Sequence, residues 1–281
     1  MARKRSTFAQ AATSPTGAGK DRNFVVALAR GLEILRCFEP EDGVLGNREI
    51  AARTGIPKPT VSRLTYTLTH LGYLAYSRRL EKYRLAPGVL ALGFSFLAGT
   101  GIRRTARPLM QELANRMDAA VSLGVRDRLR MVYLEHCRGG GNLTLALEAG
   151  SRIPVATTAM GRALLAALAQ EERDELMQQM RAHYGAGEWR SIRAGIDEAL
   201  EGYAERGFCT SVQAWERDVN GAGVPLRIGH GEDVVAFNCG APAFKLSRGR
   251  LLSEVGPALV ATVHDIGKRL GAAPAPTVME E

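Results

Sequence analysis

The chain has 281 residues, 46% of them hydrophobic, with 37 Lys and Arg against 29 Asp and Glu. That apolar content excludes a disordered protein, and the length favours two domains over one. No run nears the roughly 18 apolar residues of a bilayer span, and the basic, polar start has no signal-peptide core, so a cytoplasmic protein without membrane contact is expected. The charge is uneven. Residues 1–100 carry 15 Lys and Arg against 7 Asp and Glu, whereas residues 101–281 carry 22 of each. A basic front third and a neutral remainder place any polyanion-binding surface at the front.

Residues 1–22 read as a flexible basic arm. A first helix is predicted over 24–38, with Val25, Leu28, Leu32, Leu35 and Phe38 as its apolar stripe and Pro40 as its stop. Asn47 is expected to cap a second helix over 48–54, which Gly55 ends in the left-handed region. Ile56-Pro57 makes a turn into a third helix starting near Lys58, with Pro59 tolerated in its first turn. Val61, Leu64, Leu68 and Leu71 form the expected buried stripe of that helix. Gly72 ends it, and two short strands follow, 73–77 and 82–85, turned around Arg78-Arg79-Leu80-Glu81. Two helices across a glycine turn, then a hairpin with a cationic tip, describe a winged helix-turn-helix over 23–86, built to insert a helix in a DNA major groove.

Pro87 opens a linker helix within 87–100, and Gly99-Thr100-Gly101 breaks it. Beyond it, a helix over 102–117, strands over 121–125, 131–135 and 143–147, helices over 160–168, 171–179 and 192–206, strands over 209–213, 223–228 and 234–238, and a closing helix over 246–270 are predicted. The fold class is α+β, and this second domain, 101–272, reads as an antiparallel-sheet sensor with a flexible tail at 273–281.

On the third helix, Arg63 can pair bidentately with guanine, and Thr60 and Ser62 can reach a base or a phosphate. Tyr66 and Lys58 are placed for backbone contacts, and Arg78, Arg79 and Lys82 of the wing for a phosphate track or the minor groove. With Asn47 and Arg48 these are the candidate DNA-binding residues.

No catalytic signature is present: there is no GxSxG, no HExxH and no GxGxxG after a strand, and GAGKD at 17–21 lacks the rest of a phosphate loop. Cys37, Cys137, Cys209 and Cys239, and the five histidines, have no metal-ligand spacing and no disulfide pattern. No catalytic residue, metal or cofactor is expected.

Several segments together resemble the IclR-type bacterial transcriptional regulators. They are ALARGLEIL (27–35), EIAARTGIPKPTVSRLTYTLTHLGY (49–73), YRLAPG (83–88), GSRIPVATTAMGRALLAAL (150–168), ERGFCTS (205–211), VNGAGVPL (219–226) and NCGAPAF (238–244). Departures from the family pattern are Pro59 for Ser, Thr65 for Leu, Arg162 for Lys, and Asn238-Cys239-Gly240 for a serine-containing strand end. The resemblance implies a GAF/PAS-like effector-binding domain in the second half and a homodimer or dimer of dimers. It implies an operator of double-stranded DNA and a catabolic operon, with repression and activation both open. Its effector pocket faces Thr158, Ala159, Met160 and Gly161, and by motif position Asp218, Pro225, Asn238 and Gly240 also line it. The start of a helix near Thr158, with free N–H groups and a positive dipole end, suits a carboxylate, and the resemblance implies that the effector is a small organic acid, aromatic or short-chain. The alternatives are an enzyme acting on a small carboxylate with an appended DNA-binding head, and an architectural DNA binder without a ligand.

Overall fold

A computed structural model describes residues 22–140, 147–228 and 233–271, and the chain divides into two units, residues 1–99 and 100–281. The arm, the GAGKD segment, most of the strand expected over 143–147, His230 and the tail lie outside the described residues.

In the first unit α1 (Val26–Arg36), α2 (Asn47–Thr54) and α3 (Lys58–His70) precede β1 (Leu74–Ser77), β2 (Lys82–Leu85) and α4 (Pro87–Gly99). Ile34, Leu45, Ile50, Ile56, Val61, Leu68 and Leu74 form one buried cluster. It differs from the expected stripes. In α1 the buried positions are Gly31 and Ile34, while Val25, Leu28 and Leu32 are exposed. In α3 the buried set is Val61, Thr65 and Leu68, Leu64 is half-buried, and Leu71 is the exposed C-cap. Thr65 tolerates full burial because its hydroxyl donates to the Val61 carbonyl at 3.0 Å.

The second unit is built on a six-stranded antiparallel sheet of order β5-β4-β3-β8-β7-β6. Its strands are β3 (Ala120–Asp127), β4 (Arg130–Arg138), β5 (Arg152–Pro154), β6 (Cys209–Val212), β7 (Val219–Ile228) and β8 (Asp233–Pro242). β5 was not expected from the sequence, and β7 starts four residues earlier than predicted. The helices are α5 (Ile102–Met117), α6 (Ala159–Ala167), α7 (Gln170–Arg206), α8 (Arg248–Arg250) and α9 (Gly256–Leu270). The two helices expected over 171–179 and 192–206 run together as α7, interrupted at Gly185, where φ is 73°. The closing helix is not one rod: Leu251–Val255 is π-helical. Pro257 has no N–H to give the carbonyl four residues back, and the chain widens its turn just before it.

Register decides which face each strand residue serves. Ser122 pairs with His136 and with Asn238, and Asn238 pairs with Gly223. Directly paired residues point to the same side, so these four share a face. A Cβ on Gly223 would strike the backbone of Ala159, which identifies that face as the one α6 covers. The alternate residues Val121, Cys137, Cys239 and Ala222 point to the opposite face. There Cys137 Sγ reaches the Arg107 carbonyl of α5 at 3.8 Å, and buried Glu135 accepts from Arg103 at 3.0 Å and Arg107 at 2.5 Å.

Candidate functional site

The first site is the face that α2, α3 and the wing present. Gly46, not Asn47, is the N-cap of α2: Glu49 reaches back to accept the Gly46 N–H at 2.7 Å. Asn47 is the first helical residue, and its Oδ1 lies 3.3 Å from Thr65 Oγ1, bringing α2 against α3. Gly55, with φ 67°, closes α2, and Pro57 caps α3 with a proline in the first turn, as the turn chemistry requires. The wing is fastened to the strand-like entry of α2. Leu45 and Tyr83 exchange two backbone hydrogen bonds, each 2.8 Å.

On the outer side of α3, Lys58, Ser62, Arg63, Tyr66 and Thr67 are exposed, and Thr60 is half-buried. Tyr66 packs against His70 with ring centroids 4.1 Å apart and the rings tilted by 40°. Among the described residues, Arg48, Lys58, Arg63, Arg78 and Arg79 enter no ion pair. A cleft of about 470 Å³ between α2 and the wing is lined by Arg48, Lys58, Tyr76 and Lys82 among others. Lys82 differs from the other cations. Its Nζ lies 3.0 Å from Glu49 Oε2, so its charge is already shared with α2.

The second site is the α6 face of the sheet in the other unit. Thr158 caps α6, accepting the Gly161 N–H at 3.2 Å while donating to the Pro154 carbonyl at 2.6 Å. The N–H groups of Ala159 and Met160 stand in the first turn, where no partner inside the helix exists. Gly161 has a packing reason for its small size: a Cβ there would run into the backbone of Val155. Pro225 and Gly240 are buried, and their alternation with Gly223 and Asn238 puts them on the α6 face. Asp218 lies apart, exposed in the turn between β6 and β7, where its backbone carbonyl accepts from Ala243. Trp215 packs half-buried on the core cluster, and Arg217 is exposed.

The sequence reading passed over three polar residues on this face, Ser122, Tyr133 and His136. Ser122 Oγ lies 2.8 Å from His136 Nδ1, and the Tyr133 and His136 rings stack at 5.7 Å. Burial pushes the Tyr133 phenol up to about 12, opposed by hydrogen bonds from Ser122 and Asn238. Burial, with Arg138 assisting, holds His136 below its ordinary value, so the ring is neutral near pH 7. His136 Nε2 and Asn238 Oδ1 are buried without a hydrogen-bond partner among the described residues. One signal was available: polar residues inside otherwise apolar strands.

Among the described residues no cysteine is an activated nucleophile. Burial pushes the thiols of Cys209 and Cys239 up to about 12 and that of Cys37 to about 11, which leaves them protonated. Among the described residues no cluster of His, Cys, Asp and Glu could hold a metal ion, and no helix is long and apolar enough to cross a membrane.

Comparison with known proteins gives the same two-part division. The family described as "IclR helix-turn-helix domain" matches residues 27–78, and "Bacterial transcriptional regulator IclR C-terminal" matches residues 94–268. The HTH-type transcriptional regulator TsaQ1/TsaQ2 of Comamonas testosteroni is 36% identical over 91% of this chain and 92% of its own. The Pca regulon regulatory protein of Pseudomonas putida is 27% identical over 89% of this chain and 86% of its own. A crystal structure of an IclR family transcriptional regulator from Brucella abortus superimposes with a TM-score of 0.84 at 46% identity, covering 91% of this chain and 96% of that one.

Proposed function

The chain belongs to the IclR family of bacterial transcriptional regulators and is a DNA-binding regulator, not an enzyme; from that premise we propose that a small organic acid, held under the α6 N-terminus, controls its grip on an operator. The carrying observation is the outer face of α3. Lys58, Ser62, Arg63 and Tyr66 stand exposed on a helix whose other side is locked into the core by Val61, Thr65 and Leu68. A rigid helix with an uncommitted cationic face suits major-groove insertion. In this reading Arg63 reads a guanine, with Thr60 and Ser62 beside it. Lys58, Tyr66, Arg48, Arg78 and Arg79 hold phosphates, and Asn47 and Lys82 set the angle between helix and wing.

The effector reading rests on α6. Its first-turn N–H groups offer donors and the positive end of a dipole, which together favour a carboxylate. Membership of the family, with the Pca regulon regulatory protein among the relatives, supports control of an operon for breakdown of such an acid. The ligand shifts the protein only if it binds one arrangement of the DNA-reading heads better than the other.

Self-association is part of the same proposal. Leu90, Leu92, Phe94 and Phe96 of α4 are 74%, 56%, 68% and 55% exposed, and α4 has no charged residue. Leu28 and Leu32 of α1, and Val25 just before it, are exposed as well. Apolar surface of this extent on a helix marks an interface, and a second copy of the chain would bring two heads to a palindromic site. The test is titration of the chain's own promoter DNA against random duplex of equal length, with and without benzoate-type acids. Preference for the promoter that an acid shifts is the expected result, and equal binding in all cases would sink the reading.

A further inference from the structure

We propose that Glu135 is a positioning residue that carries a change on the α6 face of the sheet through to the start of α5, with a bulge at Leu134 as its joint. This deepens the reading of the second unit as a controlling domain, and its use on DNA rests on that reading.

The bulge lies in the pairing of β3 with β4. Leu123 pairs with Glu135, but the next residue, Gly124, pairs with Tyr133, so β4 holds one extra residue, Leu134. In a regular strand Tyr133 and Glu135 would share a face, and Tyr133 and His136 would not. The extra residue reverses both relations. Tyr133 stands opposite Gly124, where a Cβ would meet Met160 Sδ of α6 at 2.6 Å, and its ring stacks on His136. Glu135 is turned to the α5 face instead. A bulged strand bends and is locally disrupted, so it yields there before the regular pairing on either side.

Glu135 bridges the two faces at that point. Its buried carboxylate accepts from Arg103 at 3.0 Å, from Arg107 at 2.5 Å and from the N–H of His136 at 3.2 Å. The third donor belongs to the residue whose ring meets Ser122 and Tyr133 on the α6 side. A buried carboxylate is costly without its donors, so a shift of His136 takes Glu135 with it, and the two arginines follow. Both arginines stand in the first two turns of α5. The far half of that helix is held separately, by Gln111 donating to the Arg138 carbonyl at 2.7 Å. Only Thr100 and Gly101 separate α5 from the end of α4, so movement of its first turns enters the chain that leads to the DNA-reading unit.

The experiment is hydrogen exchange on the full-length chain without ligand, comparing wild type, Ser122→Ala, Glu135→Gln and the double variant. Ser122→Ala removes the contact with His136 on the α6 face. Alone, it is expected to speed exchange at residues 105–109, whose N–H groups close the first turns of α5, by about three- to tenfold, the scale of one lost hydrogen bond. Residues 113–117 stay at the wild-type rate. With Glu135→Gln already present, the same change adds less than about twofold, whereas a merely structural Glu135 leaves the two effects additive. No acceleration at 105–109 in Ser122→Ala, or an equal one in both backgrounds, overturns the proposal. Should Glu135→Gln not fold, Arg107→Gln, at a side chain 60% exposed, takes its place. The same proteins titrated on promoter DNA read the use of the joint: Ser122→Ala shifts affinity only where Glu135 is present. Coupled exchange without that shift overturns the control of DNA. Loss of promoter preference in the wild type overturns the regulatory reading, while exchange still decides the joint.

Discussion

Lys82 on the wing lies 3.0 Å from Glu49 of α2, and the same carboxylate accepts the N–H of Gly46 at 2.7 Å. One side chain therefore both caps a helix and fixes the hairpin beside it. Glu49→Ala should cost about 0.5–1 kcal/mol, the scale of a helix cap, and lower the urea midpoint of the DNA-binding unit. The pH dependence has a definite sign. Accepting the Gly46 N–H, with Lys82 assisting, depresses the Glu49 carboxyl below its ordinary 4.5. Its contribution is therefore complete above about pH 4.5 and lost as the pH falls through the depressed value. A wild-type and a Glu49→Ala protein should converge in stability at acid pH. A difference that persists at acid pH, or no difference at neutral pH, would show that the ionised clamp is not the source of stability.

Arg63 and Arg78 are both exposed, one on α3 and one at the wing tip, and they should behave differently. Arg63→Ala should reduce discrimination between operator and mismatched sites by about 1–3 kcal/mol at the base it reads. Arg78→Ala should weaken all duplexes evenly and reduce the salt slope by about one phosphate. Binding isotherms on matched and mismatched duplexes at several salt concentrations separate the two. Identical behaviour would overturn the assignment of roles.

Gly161→Ala tests whether that glycine serves packing. Its added methyl would meet the Val155 backbone, which cannot swing aside as a flexible side chain would. A loss of about 1–3 kcal/mol in the stability of the second unit is expected without any ligand present. Thermal melting of the unliganded protein checks it, and an unchanged midpoint would refute the packing role.

Phe94 on α4 is 68% exposed in a single chain. If a second copy covers it, Phe94→Asp should dissociate the oligomer while leaving the monomer folded, because no buried contact of the chain is lost. Sedimentation velocity reads the mass, and circular dichroism reads the fold. An unchanged mass would remove α4 from the interface.

The DNA-reading head was largely legible from residues because its signals are local. Gly55, Pro57 and Pro59 fix the backbone on their own, and the hairpin residues sit next to one another in the chain. Burial was less legible. The repeat of Leu28 and Leu32 in α1 looks like a core stripe, yet periodicity cannot distinguish a face covered by the chain's own core from one left outside. Thr65 was passed over because a hydroxyl reads as polar, although its bond to the Val61 carbonyl satisfies it in the interior. The row from His136 to Gly223 was beyond reach. It joins strands about a hundred residues apart, and a slip of one residue in either pairing would turn Asn238 to the other face.

Arg162 is buried at the start of α6, and among the described residues its guanidinium donates to carbonyls, to Thr210 at 2.9 Å and to Ala156 at 3.4 Å. Desolvation pulls its pKa down, yet an arginine so far above neutrality keeps its proton where a lysine would surrender one. The interior of the second unit thus holds a permanent positive charge that, among the described residues, has no carboxylate bonded to it, although Glu198 acts on it through space. If the proposed organic acid is held under α6, that fixed charge would favour it over an amine of the same shape.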